Sequence, residues 1–202
     1  MADRPALQIV RSDGTVARVT IARGDITRFS ADALVNAANS ALAGGGGVDG
    51  AIHDAAGPEL MAELRARYRG CPAGSAVVTG SGRLAESGVR YVIHAVGPIW
   101  RGGSRGEAEQ LSSAYRSALQ LAREVGARSV AIPAISCGAY GYPLDAAAAV
   151  ALRVVAQELE TPGPLDLTTF VLHSAETAEA FSRVLSLRLD RVGDVAEGGE
   201  RS

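Results

Sequence analysis

The chain of 202 residues contains no lysine, so all 20 of its basic residues are arginine. A P-loop nucleotide site, whose glycine turn ends in Gly-Lys-Ser/Thr, is therefore excluded. The two cysteines, Cys71 and Cys137, are too few for a disulfide scaffold or a zinc cluster, although a single bridge between them stays open. The three histidines, His53, His94 and His173, show no ligand spacing with them, so neither a metal nor a cofactor is expected. Aromatic residues make up only 4% of the chain, and no apolar run approaches the ~20 residues needed to cross a bilayer. Met1 to Pro5 lack the basic patch and apolar core of a signal peptide. A net charge of -2 argues against a general nucleic-acid or membrane-surface binder. These absences lead to the expectation of a soluble, cytoplasmic, monomeric protein with no membrane partner.

What is present centres on Asn36 to His53. An apolar run, Ala33 to Val35, gives way to two amides, Asn36 and Asn39, then to four glycines, Gly44 to Gly47, and then to a helix with Asp49 in its first turn. Four consecutive glycines give up side-chain contacts and cost the most backbone entropy to order, so their use is to bring backbone close to something. Free backbone N–H groups followed by a helix N-terminus make an anion site, and phosphate is its commonest occupant.

Along the chain, Leu7 to Val10 and Val16 to Ala22 read as a hairpin about Ser12-Asp13-Gly14-Thr15. Ala33 to Val35, Ala76 to Thr79, Arg90 to Val96, Ser129 to Ala134 and Leu167 to His173 read as further strands. Helices are expected over Val48 to Ala56, Pro58 to Arg69, Glu107 to Val125, Leu144 to Leu159 and Ala175 to Leu189. A second glycine-containing loop, Ile135 to Pro143, also joins a strand to a helix. The economical architecture is one α/β domain over residues 1–192, with helices on both faces of a mixed sheet and a ligand crevice at one edge of it. Residues 1–6 read as a loose end, and residues 193–202 as a polar tail expected to be disordered.

Each candidate residue also has a bland use. Asn36 and Asn39 could close turns, Asp49 could serve the helix dipole, and His53, one turn further along the same face, could be structural. His94, inside an apolar strand, reads as structural. Gly45, Gly47 and Gly50 formally match a dinucleotide fingerprint, which raises a nicotinamide-dependent oxidoreductase as a remote alternative. In that motif the glycines follow the strand directly and an acid lies roughly 20 residues on. Here Asn39 to Ala43 intervene, and no acid lies between Glu63 and Glu86.

Six blocks taken in order carry a more specific likeness: Gly24-Asp25-Ile26-Thr27; Val35 to Ser40; Gly44 to His53; Cys71-Pro72-Ala73-Gly74; Val92 to Pro98; and Pro133 to Pro143. From about Ile21 to Leu185 the chain resembles the macrodomains of the MacroD type, a family of ADP-ribosyl hydrolases and O-acetyl-ADP-ribose deacetylases. The resemblance implies a three-layer α/β/α fold with a central mixed β-sheet. It also implies hydrolysis of ADP-ribose esters, on acidic side chains of proteins and in O-acetyl-ADP-ribose. ADP-ribose, mono-ADP-ribosylated proteins and O-acetyl-ADP-ribose are then the expected partners, and nucleic acid only as an ADP-ribosylated substrate. A module that binds ADP-ribose without turning it over is the main alternative.

Carried over by position, the resemblance assigns Asp25 to the adenine amine, with the Ile26 backbone beside it. Asn39 holds the distal ribose, and Asp49 acts on that ribose and on the hydrolytic water. The backbone of Gly46, Gly47 and Val48, together with Ser136, Gly138, Ala139 and Tyr140, wraps the diphosphate, and Tyr140 also packs on the distal ribose. Asn36 and His53 are supporting residues. Cys137 replaces the usual threonine, and no histidine stands beside it in sequence to make it a nucleophile. His173 stands where an aromatic residue commonly stacks on adenine, so adenine binding is expected to be weaker or pH-sensitive.

Overall fold

The computed structural model describes the backbone of residues 6–198 and side chains of residues 6–187; residues 1–5 and 199–202 lie outside the described residues. Seven strands form one sheet: β1 (Ala6–Val10), β2 (Val16–Arg23), β3 (Ala33–Ala37), β4 (Ala76–Gly80), β5 (Tyr91–Ala95), β6 (Ser129–Ile132) and β7 (Leu167–Leu172). Their spatial order is β1-β2-β7-β6-β3-β5-β4. The five central strands, β2 to β5 in that order, are parallel, and β1 and β4 run antiparallel at the two edges. Central strands of this kind are covered on both faces, which is why Ala33-Leu34-Val35 and Val130-Ala131-Ile132 read as unbroken apolar runs.

The side chains of each run divide between two cores. Ala33, Val35, Ile93, Val130, Ile132 and Phe170 face the layer of α3 (Glu107–Glu124), α4 (Leu144–Glu160) and α5 (Ala175–Gly198). Leu34, Val92, Ala131 and Val171 face α1 (Gly47–Ala56), α2 (Pro58–Arg67) and the 3-10 segments Ile26–Arg28 and Gly82–Ser87. The expected α/β/α layering is thus observed, apart from small shifts of element ends and the unforeseen segment Gly82–Ser87. Helix α5 continues through Gly198, beyond Gly193, where the sequence suggested the tail would begin. Among the described residues no helix is long and apolar enough to cross a membrane.

Topology decides where a ligand can sit. From β3 the chain passes through α1 and α2 to one side of the sheet, whereas from β6 it returns through α4 to the other. The crevice of an open α/β sheet lies at such a switch point, beyond the carboxyl ends of the strands. Both glycine loops leave from there, because β3 and β6 are neighbours.

Two buried side chains tie that end together. The hydroxyl of Tyr115, on α3, accepts the Ile135 N–H at 3.0 Å and donates to the Pro133 carbonyl at 3.4 Å, anchoring the start of the second loop. Burial holds its phenol well above the usual range, so it stays protonated. On the opposite face His94 lies directly across from Asn36 in the β3–β5 register, with no exposed surface. Burial, and secondarily the neighbouring His53, pushes its pKa down from 6.5 to about 3.

Two outcomes are expected. Tyr115→Phe should lower unfolding free energy by about 1–2 kcal/mol in urea, because the Ile135 N–H loses its acceptor inside the core; an unchanged midpoint would deny the anchor. His94 remains neutral in the folded chain but takes a proton in the unfolded chain below about 6.5. Stability is therefore fully present above that pH and falls with acid, by up to about 1.4 kcal/mol per pH unit towards the folded value. Urea unfolding at about pH 7 and about pH 5 should show a smaller pH dependence in His94→Gln than in the parent chain; equal slopes would contradict it.

Candidate active site

Asn36, on β3, points into the α1 face. Its Nδ2 donates to Asp49 Oδ1 at 2.6 Å and lies 3.1 Å from His94 Nδ1. Since an amide nitrogen only donates, His94 Nδ1 is the acceptor, and the ring proton on Nε2 goes to Thr79 Oγ1 at 3.0 Å. Thr79 passes its own proton to the Val92 carbonyl at 3.4 Å. A chain of hydrogen bonds thus runs from β4 through β5 and β3 to α1. It fixes the Asn36 amide, since the flipped amide would set its oxygen against Asp49. His53 Nε2 stands 3.5 Å from the same Asp49 oxygen.

This leaves Asp49 Oδ2 and Asn36 Oδ1 buried without a hydrogen-bond partner among the described residues. An unmatched buried acceptor costs about 1–3 kcal/mol, so the free oxygen of Asp49 suits a donor such as a hydroxyl or water. Asp49 is only 5% exposed. Gly45 makes the approach possible, because a Cβ there would stand 3.1 Å from Asp49 Oδ2 and 3.8 Å from Asn39 Nδ2. At Gly50 a Cβ would meet the Gly45 carbonyl oxygen at 2.6 Å, so the glycine run and α1 are pressed together. Asn39 combines two uses: it closes its loop, donating to the Gly44 carbonyl at 2.7 Å and accepting the Ala43 N–H at 3.3 Å, and it stands beside Asp49 across Gly45.

The backbone N–H groups of Gly46, Gly47 and Val48 open the N-terminus of α1 with no side-chain cap and no partner among the described residues. Those of Gly138, Ala139 and Tyr140 in the second loop are equally free. Ser136 adopts φ 67°, and the absence of a Cβ at Gly97 leaves room for its hydroxyl. Two amide-lined turns therefore face a common crevice, a geometry suited to two phosphates.

One flank of these turns is a cavity of about 580 Å³ lined by Asp25, Ile26, Val48, Ala51, Cys137, His173 and Thr177 among others. Asp25 Oδ1 is engaged by the Thr27 hydroxyl at 2.7 Å and amide at 2.9 Å, which hold its carboxyl below the usual range and ionised. His173 is exposed at the mouth beside Ser174. Cys137 is half-buried, its thiol directed to the Ile135 carbonyl, and burial raises its pKa to about 12. The thiol is therefore no nucleophile near neutral pH, and with Cys71 also free there is no bridge.

Of the residues singled out from sequence, Asp25, Ile26, Gly47, Val48, Cys137, Gly138 and His173 line one cavity, Asn39 and Asp49 lie to either side of Gly45, His53 lines a separate recess with Gly44 and Arg83, and Asn36 is fully buried beneath Asp49. Thr79 and Tyr115 read only as parts of an apolar strand and an amphipathic helix, and Gly45, Gly50 and Gly97 only as members of glycine-bearing blocks; the contacts each one makes or permits depend on register and packing that the linear pattern does not carry.

Comparisons with known proteins agree with this geometry. The Macro domain model matches residues 35–151. The O-acetyl-ADP-ribose deacetylase of Citrobacter koseri is 48% identical over 176 residues, covering 86% of this chain and 98% of its own. That of Klebsiella pneumoniae is 49% identical over 166 residues, covering 81% and 93%. Among solved structures, a mutant of the Oceanobacillus iheyensis macrodomain with ADPR superposes at TM-score 0.81 with 36% identity, covering 92% of this chain and all of that one. The Trypanosoma brucei macrodomain in complex with ADP-ribose superposes at 0.74 with 39% identity, over 82% of this chain and 68% of that one. By family match, sequence identity and superposition of the fold together, this chain belongs to the macrodomain family.

Proposed function

We infer that the chain binds ADP-ribose along this crevice and hydrolyses esters carried on its distal ribose, releasing acetate from O-acetyl-ADP-ribose and mono-ADP-ribose from acidic side chains of proteins. The names of its relatives support the first activity. The observation that carries the hydrolytic reading is the anchored carboxylate of Asp49, with one oxygen held by Asn36 and the other free beside Asn39. A module that merely held the ligand would need the amide-lined turns and the adenine cavity but not this carboxylate, which lies unfavourably close to bound phosphates unless it has work to do.

In this reading adenine enters the larger cavity, its amine on Asp25 and its face against His173. The diphosphate takes the amides of Gly46 to Val48 and of Ser136 to Tyr140. The distal ribose reaches Asn39 and Tyr140. Asp49 Oδ2 then accepts a proton of the attacking water, oriented between it and a diphosphate oxygen, while the loop amides stabilise charge developing on the ester. Asn36, His94 and His53 hold the carboxylate still.

Incubation with O-acetyl-ADP-ribose and with a glutamate-linked mono-ADP-ribosyl protein should yield free ADP-ribose from both. Binding by calorimetry with no product would leave a reader module. Asp49→Ala and Asn39→Ala should each lower kcat/KM by about 100-fold or more, the scale of a lost proton acceptor or oriented substrate; wild-type turnover in either would remove that residue from the mechanism. His173→Phe should tighten ADP-ribose binding by about threefold, the gain of a fuller ring stack; weaker binding in calorimetry would place adenine elsewhere.

A further inference from the structure

A second cavity, of about 300 Å³, opens on the opposite flank of the amide-lined turns. Ser40, next to Asn39, and Tyr140 line it, so it begins where the distal ribose would end. Its outer wall is the loop Gly97 to Gly106, which carries Arg101 and Arg105.

That loop is built rather than slack. Glu107, the first residue of α3, is 2% exposed, and its carboxylate accepts the backbone N–H groups of Arg101 at 3.0 Å, Gly103 at 3.1 Å and Arg105 at 2.6 Å. Burial alone would raise its pKa, but these amides hold it below the usual range, so it stays charged. Gly102, Gly103 and Gly106 adopt φ 99°, 84° and 76°, giving the loop the shape that brings those amides together. The Trp100 N–H donates to the Tyr140 carbonyl at 2.8 Å, and the Trp100 ring packs on Tyr142 at 4.5 Å, fastening the loop to the second glycine turn.

Glu107 is the one acid lining this cavity, and its charge is directed to three amides. Neither guanidinium has a carboxylate or hydrogen-bond partner among the described residues, although both are exposed. An arginine pair left free beside a cavity, in a chain with net charge -2, selects anions locally rather than over the whole surface.

The geometry points to this cavity as the seat of the carrier of ADP-ribose, and to that carrier as an acidic polypeptide, with a carboxylate flanking the modified residue set against Arg101 and Arg105. This rests on the ADP-ribose reading above. The remaining walls favour peptide over nucleic acid. The half-exposed Ile99 offers an apolar contact for a side chain, and the indole of Trp100 packs on Tyr142 outside the cavity lining, so it presents no stacking platform for a base there.

The test uses the full chain and two peptides bearing glutamate-linked mono-ADP-ribose, one flanked by aspartate and glutamate, the other by serine and glutamine. The acidic peptide should show about a fivefold higher kcat/KM at low salt, the scale of exposed charge pairs, and the advantage should shrink as salt is added. In Arg101→Gln/Arg105→Gln the advantage should disappear. O-acetyl-ADP-ribose, too small to reach the loop, should be turned over within about twofold of the parent rate, which also reports that the variant is folded. Equal rates on the two peptides, or a preference that survives the double substitution, would overturn the proposal. So would an ADP-ribosylated oligonucleotide preferred over the acidic peptide through the same arginines. If no substrate is hydrolysed, the enzymatic reading fails on its own. The subsite is then judged by equilibrium binding of the same intact peptides: tighter binding of the acidic one, lost in the double variant, supports it, and equal binding overturns it.

Discussion

The hydrogen bond of 2.6 Å between Asn36 and Asp49 is the point on which the crevice end of this molecule depends. It joins one of the parallel strands of the sheet, β3, to the helix packed on it, and the glycine loop spans the gap between them. Polar groups this deep are tolerated only when paired. The pairing here extends back through His94 and Thr79, so three strands contribute to holding one carboxylate. What this network leaves unpaired, one oxygen on Asp49 and one on Asn36, is then a property of the whole sheet and not of a surface loop.

Much of this could be read in the residues. Helical periodicity located α3 and α4, and apolar runs located the parallel strands, because both patterns follow directly from burial. The six sequence blocks identified the family, and the residues they carry meet at one end of the sheet. Pairing order was not legible: nothing in Ala33-Leu34-Val35 says that β6 and β5, rather than β2, lie beside it. The 3-10 segment Gly82–Ser87 was missed because it buries a single apolar side chain, Leu84, and so leaves no period to detect. His94 read as structural, which its burial supports, yet its use in fixing Asn36 depends on a cross-strand register invisible to a linear pattern. Glu107 stood in the sequence only as the first residue of an expected helix; its grip on three upstream amides comes from glycine-dependent backbone shape.

The chain solves the same electrostatic problem twice. Around Glu107, converging backbone N–H groups enclose a carboxylate supplied by the protein itself. Around the crevice, comparable N–H groups from Gly46 to Val48 and from Gly138 to Tyr140 have no partner among the described residues. The first arrangement is complete and serves to shape a wall. The second suits an anion from outside.

Ser136 and Leu42 are the two non-glycine residues with positive φ among those described, at 67° and 53°, and each lies in one of the two loops that face the crevice. L-residues enter that region at a cost of about 1–3 kcal/mol, and do so where the surroundings over-determine them. That cost falls on folding, before any ligand arrives. The crevice therefore meets its ligand already shaped, with little chain entropy left to lose, and a larger share of each phosphate contact can appear as affinity.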